Sequence, residues 1–249
     1  MSPNIKAPSK TVSFLHDGST EVVNIEDKVV LKFPNSNIPL LTLPIHNAFF
    51  IVGLFLYGLQ QDPKGILRKN LVTYIVIQFS YGYLITIACS NKKKKDRSED
   101  NRGLLIGASM AISLLLSLPV FITLILLGAP LIEYLEETYL LGLYLSLSAI
   151  YPLLIQFKCN YETLVNFFGN GNALQVVSQN HVAMSSVGYA VGTWIGVIPL
   201  PLDWDRDWQK WPITLLTGGM AGSFLGSLIP LFLDCYRKFT SKPGSKKEL

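Results

Sequence analysis

Long apolar runs separated by short polar connections dominate the chain from Ile38 onward. A helix needs roughly 20 mainly apolar residues to cross the hydrocarbon core of a bilayer. Six segments meet that requirement, at residues 40–59, 71–89, 104–127, 131–157, 182–200 and 213–233. The pattern therefore predicts an all-α membrane protein with about six transmembrane helices in a polytopic domain over residues 39–234.

The connection between the third and fourth segments decides that number. Gly128-Ala-Pro130 breaks the helix there, and the nearby acidic residues Glu133, Glu136 and Glu137 indicate a membrane surface. If this turn did not reach the opposite side of the membrane, the count would fall to four or five spans.

Residues 1–38 are polar and contain short alternating pieces instead of apolar runs. Two of them, residues 11–14 and 21–24, flank Asp17-Gly18, and Asp-Gly between such pieces is a hairpin signal. Residues 29–33 have the composition of a third strand. A short β-hairpin and a disordered tail are both consistent with this segment.

The distribution of Lys and Arg predicts the orientation, because positively charged connections stay in the cytoplasm. Of the 21 Lys and Arg residues, 16 fall in the two tails and in the second-to-third and fourth-to-fifth connections. Both termini are therefore predicted to be cytoplasmic, with residues 235–249 as a basic tail. Lys246 and Lys247 resemble the dilysine signal that returns membrane proteins to the endoplasmic reticulum.

The composition of the chain argues against several classes of function. Hydrophobic residues make up 49% and charged residues 15% of the chain, and the net charge of +4 comes with lysines clustered in connections, so no nucleic-acid partner is expected. Cys89, Cys159 and Cys235 lack the spacing of metal ligands. The predicted topology leaves no histidine on the lumenal side, so we expect no catalytic residue, metal or cofactor there.

Glycines recur every four residues in the last two apolar segments, at Gly188, Gly192 and Gly196 and again at Gly218, Gly222 and Gly226. Such spacing permits the close backbone approach on which helix association in lipid depends. It predicts a tightly packed helical hairpin. The tryptophan-rich link 199–212 would lie at the lumenal membrane surface.

The link has two interpretations. Asp203 and Asp205 formally match the Asp-x-Asp of transferases that hold a metal-bound sugar nucleotide, but one acid pair is a weak signal, and Trp208 occupies the position that a calcium loop requires to be glycine. Alternatively, the tryptophans lie at the head-group level, Arg206 pairs with a carboxylate, and prolines fix the backbone. The second interpretation predicts a rigid structure that is either a membrane anchor or a surface for a partner.

The residues predicted to serve packing or partner recognition are Gly188, Gly192, Trp194, Gly196, Pro199, Pro201, Asp203, Trp204, Asp205, Arg206, Trp208, Gln209, Trp211, Pro212, Gly218, Gly222 and Gly226.

The run from Gly192 to Ile213, with the glycines that follow it, resembles the PIG-F family, a small multispanning subunit of glycosylphosphatidylinositol (GPI) anchor synthesis. The Lys-rich second connection and the short chain resemble fungal members. The resemblance implies a non-catalytic subunit that stabilises large multispanning GPI ethanolamine phosphate transferases in the endoplasmic reticulum membrane.

By the same resemblance, those partners transfer phosphoethanolamine from phosphatidylethanolamine to mannoses of the GPI precursor, and they supply the metal-dependent lumenal catalytic domain. Membrane lipids are the other expected contacts. The competing hypothesis is an autonomous lipid transferase that uses Asp203 and Asp205, or a lipid-moving protein that uses the glycine-rich segments.

Overall fold

The computed structural model describes residues 22–25, 28–31, 39–89, 101–169, 175, 177–202, 204 and 206–240. The chain divides after Pro34 into two units. In the first unit, strands β1 (Val22–Ile25) and β2 (Lys28–Leu31) pair antiparallel, with Val22 opposite Leu31 and Ile25 opposite Lys28.

The hairpin predicted around Asp17-Gly18 is not supported. That turn and the first alternating piece lie outside the described residues, and the second piece pairs instead with the third. Only two residues separate β1 from β2 in the sequence, and two-residue connections are the commonest in hairpins.

All the regular secondary structure described in the second unit is helical. After a 3-10 turn at Pro39–Thr42, its helices are α1 (Ile45–Leu56), α2 (Pro63–Ala88), α3 (Arg102–Leu126), α4 (Leu135–Leu145), α5 (Tyr151–Gln156), α6 (Tyr161–Gly169), α7 (His181–Ile195) and α8 (Ile213–Thr240). A π-helical turn at Ser146–Ile150 joins α4 and α5 into one continuous helix, Leu135–Gln156.

Four helices of the described chain are long and apolar enough to cross a membrane: Pro63–Ala88, Arg102–Leu126, Leu135–Gln156 and Ile213–Tyr236. The prediction of six spans is therefore not confirmed. Helix α1 has 12 residues and ends before Gly58, whose φ of +95° suits glycine in a turn. Helix α7 has 15 residues and passes into turns at Gly196.

Two helices begin at side chains that cap them. The Asp62 carboxylate accepts a hydrogen bond from the Gly65 amide at 2.9 Å before α2, and the Asn180 side chain accepts one from the Ala183 amide at 2.9 Å before α7. Each cap satisfies an amide that has no partner within the first turn of its helix.

The α4–α5 helix lies at the centre of the unit. Of its most apolar 18 residues, 78% are buried, against 28–44% in the other three long helices. Its π turn precedes Pro152, which has no N–H to bond a carbonyl one turn earlier. The wider turn changes which side chains face the core at the middle of the helix.

A cluster of buried polar side chains connects four elements across this core, and we call it the polar core: Asn47, Tyr74, Gln78, Ser148 and Ser223. The Tyr74 hydroxyl donates to Asn47 Oδ1 at 2.9 Å and lies 2.5 Å from Ser148 Oγ. Gln78 Nε2 donates to the Tyr74 hydroxyl at 2.6 Å, and Asn47 Nδ2 donates to Ser223 Oγ at 3.0 Å. The polar core thereby joins α1, α2, the π turn and α8.

Aromatic rings pack around the same hydroxyl. The Tyr74 ring centroid lies 4.6 Å from that of Phe50 and 4.9 Å from that of Tyr144. Tyr74 therefore combines the packing of an apolar ring with a hydroxyl that has defined partners, which is how a buried tyrosine is best accommodated.

We expect Tyr74→Phe to lower the free energy of unfolding by roughly 1–3 kcal/mol, because Ser148, Gln78 and Asn47 lose their shared partner in a buried site. Thermal unfolding in mild detergent measures the loss. Tyr83→Phe is the matched control, since Tyr83 lies on the same helix with 51% of its surface exposed. Equal melting temperatures for the two variants would contradict the role of the polar core.

Candidate functional site

The two glycine rows face each other across α7 and α8. A Cβ atom built on Gly192 would collide with the carbonyl oxygen of Gly218 and lie 3.0 Å from the Cα atom of Gly222. The relation is reciprocal, because a Cβ atom on Gly218 would collide with the carbonyl oxygen of Gly192. The helices thus contact each other through their backbones.

The same contact extends along the whole hairpin. A Cβ atom on Gly188 would meet the Gly222 carbonyl, one on Gly226 would lie 2.6 Å from the Met184 carbonyl oxygen, and one on Gly196 would meet the Thr214 carbonyl. Real Cβ atoms do not approach heavy atoms this closely, so a side chain at any of these positions would separate the helices.

A further glycine belongs to the interface although it lies off the four-residue register. A Cβ atom on Gly219 would lie 2.5 Å from Thr193 Oγ1 and 2.6 Å from Tyr189 Cε1. The sequence shows Gly219 only as a neighbour of Gly218, and nothing in its spacing points to the tyrosine that it accommodates.

Gln209 organises the link between the two helices. Its Nε2 donates to the carbonyl oxygens of Pro199 at 2.7 Å and Leu202 at 3.0 Å, while its Oε1 accepts from the Arg206 amide at 2.9 Å. One side chain thus joins the start and end of the link. Pro201 is exposed, whereas Pro212, which follows a cis peptide bond, is buried at the start of α8.

The tryptophans of the link have different environments. Trp211 packs against the core, and its indole N–H donates to Thr138 Oγ1 on α4 at 3.0 Å. Trp204 and Trp208 lie with ring centroids 5.8 Å apart, and 55% of the Trp204 surface is exposed. Trp211 therefore attaches the link to the central helix, while Trp204 faces outward.

The ion pair that the described link contains joins Lys210 Nζ to Asp207 Oδ1 at 2.8 Å. This hydrogen bond, with the lysine charge, holds the pKa of the Asp207 carboxyl below its ordinary value. Arg206 was predicted to pair with a carboxylate. Asp203 and Asp205 lie outside the described residues, so that pairing stays a prediction.

Three connections meet at one end of the helical unit. Lys210 Nζ also donates to the Gln60 carbonyl at 3.1 Å, Trp211 reaches Thr138, and Lys64 Nζ at the start of α2 lies 2.7 Å from Glu136 Oε2 at the start of α4. The link is therefore held by the 57–62 connection and by the first turn of α4.

Large apolar side chains remain exposed on the outer side of the hairpin. Trp194 has 72% of its surface exposed, and Ile198, four residues further along, has 60%. Because the glycine rows lie between α7 and α8, a lipid or another protein would contact exposed side chains such as these and not the glycines.

The two histidines in the described chain lie within the helical packing. His46 Nε2 lies 3.2 Å from Gln78 Nε2 beside the polar core, and His181 Nδ1 lies 3.2 Å from the Ser227 carbonyl. Within the described ranges, no group of three or more His, Cys, Asp or Glu side chains is arranged to hold a metal ion. Lys246 and Lys247 lie outside those ranges.

Comparison of the sequence with known protein families identifies the family of the chain. The sequence profile of the GPI biosynthesis protein family Pig-F matches residues 42–231, which include both glycine rows and the link. The chain belongs to the Pig-F family.

Two fungal proteins resemble the chain over nearly their full length, and a human protein resembles it over about half. Glycosylphosphatidylinositol anchor biosynthesis protein 11 of Debaryomyces hansenii is 45% identical over 92% of this chain and 98% of its own. The protein of the same name from Candida albicans is 35% identical over 93% and 98%. The human GPI ethanolamine phosphate transferase, stabilizing subunit, is 36% identical over 46% of this chain and 52% of its own. No solved structure matches the chain.

We expect Gly192→Ala to destabilise this Pig-F member by about 1–3 kcal/mol, because a methyl group would force apart helices in backbone contact. Gly107→Ala on α3 is the matched control. No atom lies within 4 Å of a Cβ atom there, so alanine should be neutral or should stabilise the helix by up to about 1 kcal/mol. Unfolding in detergent measures both, and equal stability of the two variants would contradict the backbone contact.

Proposed function

We propose that the chain is a non-catalytic stabilising subunit of a GPI ethanolamine phosphate transferase in the endoplasmic reticulum membrane. The observation that carries the proposal is the similarity to the human stabilizing subunit of that transferase, at 36% identity over 115 residues. Family membership over residues 42–231 places the chain in the same biosynthetic process.

The exposed side chains of the hairpin support this role. The two glycine rows of the hairpin pack against each other. In this proposal they hold the hairpin together, and they do not bind a helix of the partner. Trp194, Ile198 and Trp204 are exposed on the hairpin and its link, and tryptophan is among the commonest residues to dominate binding energy at interfaces. We assign them to the contact with the transferase.

The topology of this proposal keeps six spans, with α1 and α7 completed by their flanking turns, and places both termini in the cytoplasm. The meeting of the 57–62, 127–134 and 196–212 connections at one end of the unit is consistent with that arrangement, because alternating helices must return to the same side. Residues 1–38 and 235–249 are then the cytoplasmic segments, and Lys246 and Lys247 the retrieval signal.

We expect Trp194→Ala to reduce co-purification of a large ethanolamine phosphate transferase from mild detergent by tenfold or more, as the loss of an interface tryptophan often does. The level of the transferase in the membrane and GPI addition should fall with it. Leu115→Ala is the control, because Leu115 has 68% of its surface exposed on α3, away from the hairpin. Melting temperature checks that both variants fold.

Two results would overturn the proposal. If Trp194→Ala and Leu115→Ala both co-purify with the transferase at the wild-type level, Trp194 is an anchor in the lipid head-group region and not a contact residue. If the purified chain alone turns over phosphatidylethanolamine, it is an autonomous transferase and not a stabilising subunit.

A further inference from the structure

A cleft of about 450 Å³ lies beside the hairpin, between the end of α1 and the first turns of α8. Its walls include the apolar side chains of Phe55, Ile195 and Ile213 and the polar residues Gln60, Thr214 and Thr217. Mostly apolar walls with a few polar groups, in a volume of roughly 300–1,000 Å³, are the usual properties of a small-molecule site.

Thr214 is a buried polar residue of the cleft wall. It is only 6% exposed, and its hydroxyl has no hydrogen-bond partner among the described residues. Thr217, one turn further along α8, differs because its hydroxyl donates to the Ile213 carbonyl at 2.7 Å. A buried hydroxyl without a partner costs free energy, so Thr214 is suited to a ligand that supplies an acceptor.

The position of the cleft indicates which class of ligand is available to it. Thr214 is the second residue of α8, directly after the link, and Trp208 of the link lines the cleft. Tryptophan is enriched where the hydrocarbon meets the head groups, and the ester groups of a glycerophospholipid lie at that same depth. The cleft thus has apolar walls and, in a residue of its wall at the start of a spanning helix, a buried hydroxyl without a partner.

The ammonium group of Lys210, which contacts the cleft wall, is already paired. Lys210 bonds both Asp207 and the carbonyl of Gln60, a residue of the cleft wall. A paired ammonium does not select an anionic head group as an unpaired one would. The chemistry of the site therefore favours recognition through an acyl chain and its ester.

We propose that this cleft binds one acyl chain of a glycerophospholipid, with the Thr214 hydroxyl donating a hydrogen bond to the ester carbonyl. The chain lies along Phe55, Ile195 and Ile213, and the head group stays near the link. The site goes beyond the stabilising role, since it is a property of the chain alone and does not require the transferase.

The probe for this site is phosphatidylcholine with a diazirine in one acyl chain, incorporated into membranes that contain the full chain. After irradiation, mass spectrometry maps the labelled residues. We expect labelling at the cleft walls to exceed labelling of lipid-facing positions on α3 such as Ile122, which is 55% exposed. Phosphatidylserine with the same diazirine should label the cleft equally well.

Two pairs of variants make the test specific. Thr214→Val keeps the shape of the side chain and removes the donor, so cleft labelling should fall roughly two- to tenfold. Thr123→Val on α3, where the hydroxyl donates to the Pro119 carbonyl away from the cleft, should leave it unchanged. Phe55→Trp narrows the cleft and should abolish the excess labelling. Phe49→Trp makes the same change on α1 at a residue that is 73% exposed, away from the cleft, and should not.

The proposal is overturned if the cleft walls are labelled no more than Ile122, or if Thr214→Val and Phe55→Trp behave like their controls. Because the readout is labelling of this chain in the absence of transferase, a failed co-purification experiment leaves it unaffected, and the reverse holds as well.

Discussion

The backbone contact between α7 and α8 is the constraint on which the rest of the helical unit depends. In lipid, apolar side chains gain nothing by leaving their surroundings, so two helices stay together only through close packing and hydrogen bonds. The glycine rows allow that packing, and Gln209 joins Pro199 to Arg206 within the link between the two helices. The exposed tryptophans and the cleft beside α1 occupy defined positions because this contact is rigid.

Hydrogen bonds add specificity to this packing. The polar core joins α8 to α1, α2 and the π turn through Ser223, Asn47 and Tyr74. Trp211 and Lys210 then attach the link to α4 and to the turn that follows α1. The hairpin is thereby fixed at both its middle and its end, and a stabilising subunit needs such rigidity to present one surface to a partner.

The spacing of residues along the chain was sufficient to predict features that depend on neighbouring parts of the sequence. The four-residue glycine recurrence predicted a close hairpin, and the residues from Gly192 to Ile213 pointed to the Pig-F family, which the family profile confirms. Four of the six predicted spans correspond to helices of spanning length. Apolarity alone could not show that α1 ends before Gly58 or that α7 ends before Gly196, because backbone turns inside an apolar run leave its hydropathy unchanged.

Features that depend on distant residues were not predictable from spacing. Asn47 and Ser223 are 176 positions apart, and only the fold shows that they bond. Gln209 was predicted as a site residue only because it lies in the tryptophan-rich link. The structure shows its role, which is to donate hydrogen bonds to the carbonyl groups of Pro199 and Leu202. The unpartnered hydroxyl of Thr214 cannot be distinguished in sequence from the bonded one of Thr217. In the first unit, the prediction chose Asp17-Gly18 as the turn because its signal was stronger, yet the strands that pair are β1 and β2.

The central claim is that the glycine rows hold this chain's own hairpin together and leave its tryptophan-bearing side to the transferase. Electron cryo-microscopy of the chain bound to its transferase in lipid nanodiscs tests it most directly. We predict Gly192 in contact with Gly218 and Gly222 of the same chain, with the transferase against Trp194. A transferase helix inserted between α7 and α8 would contradict the account.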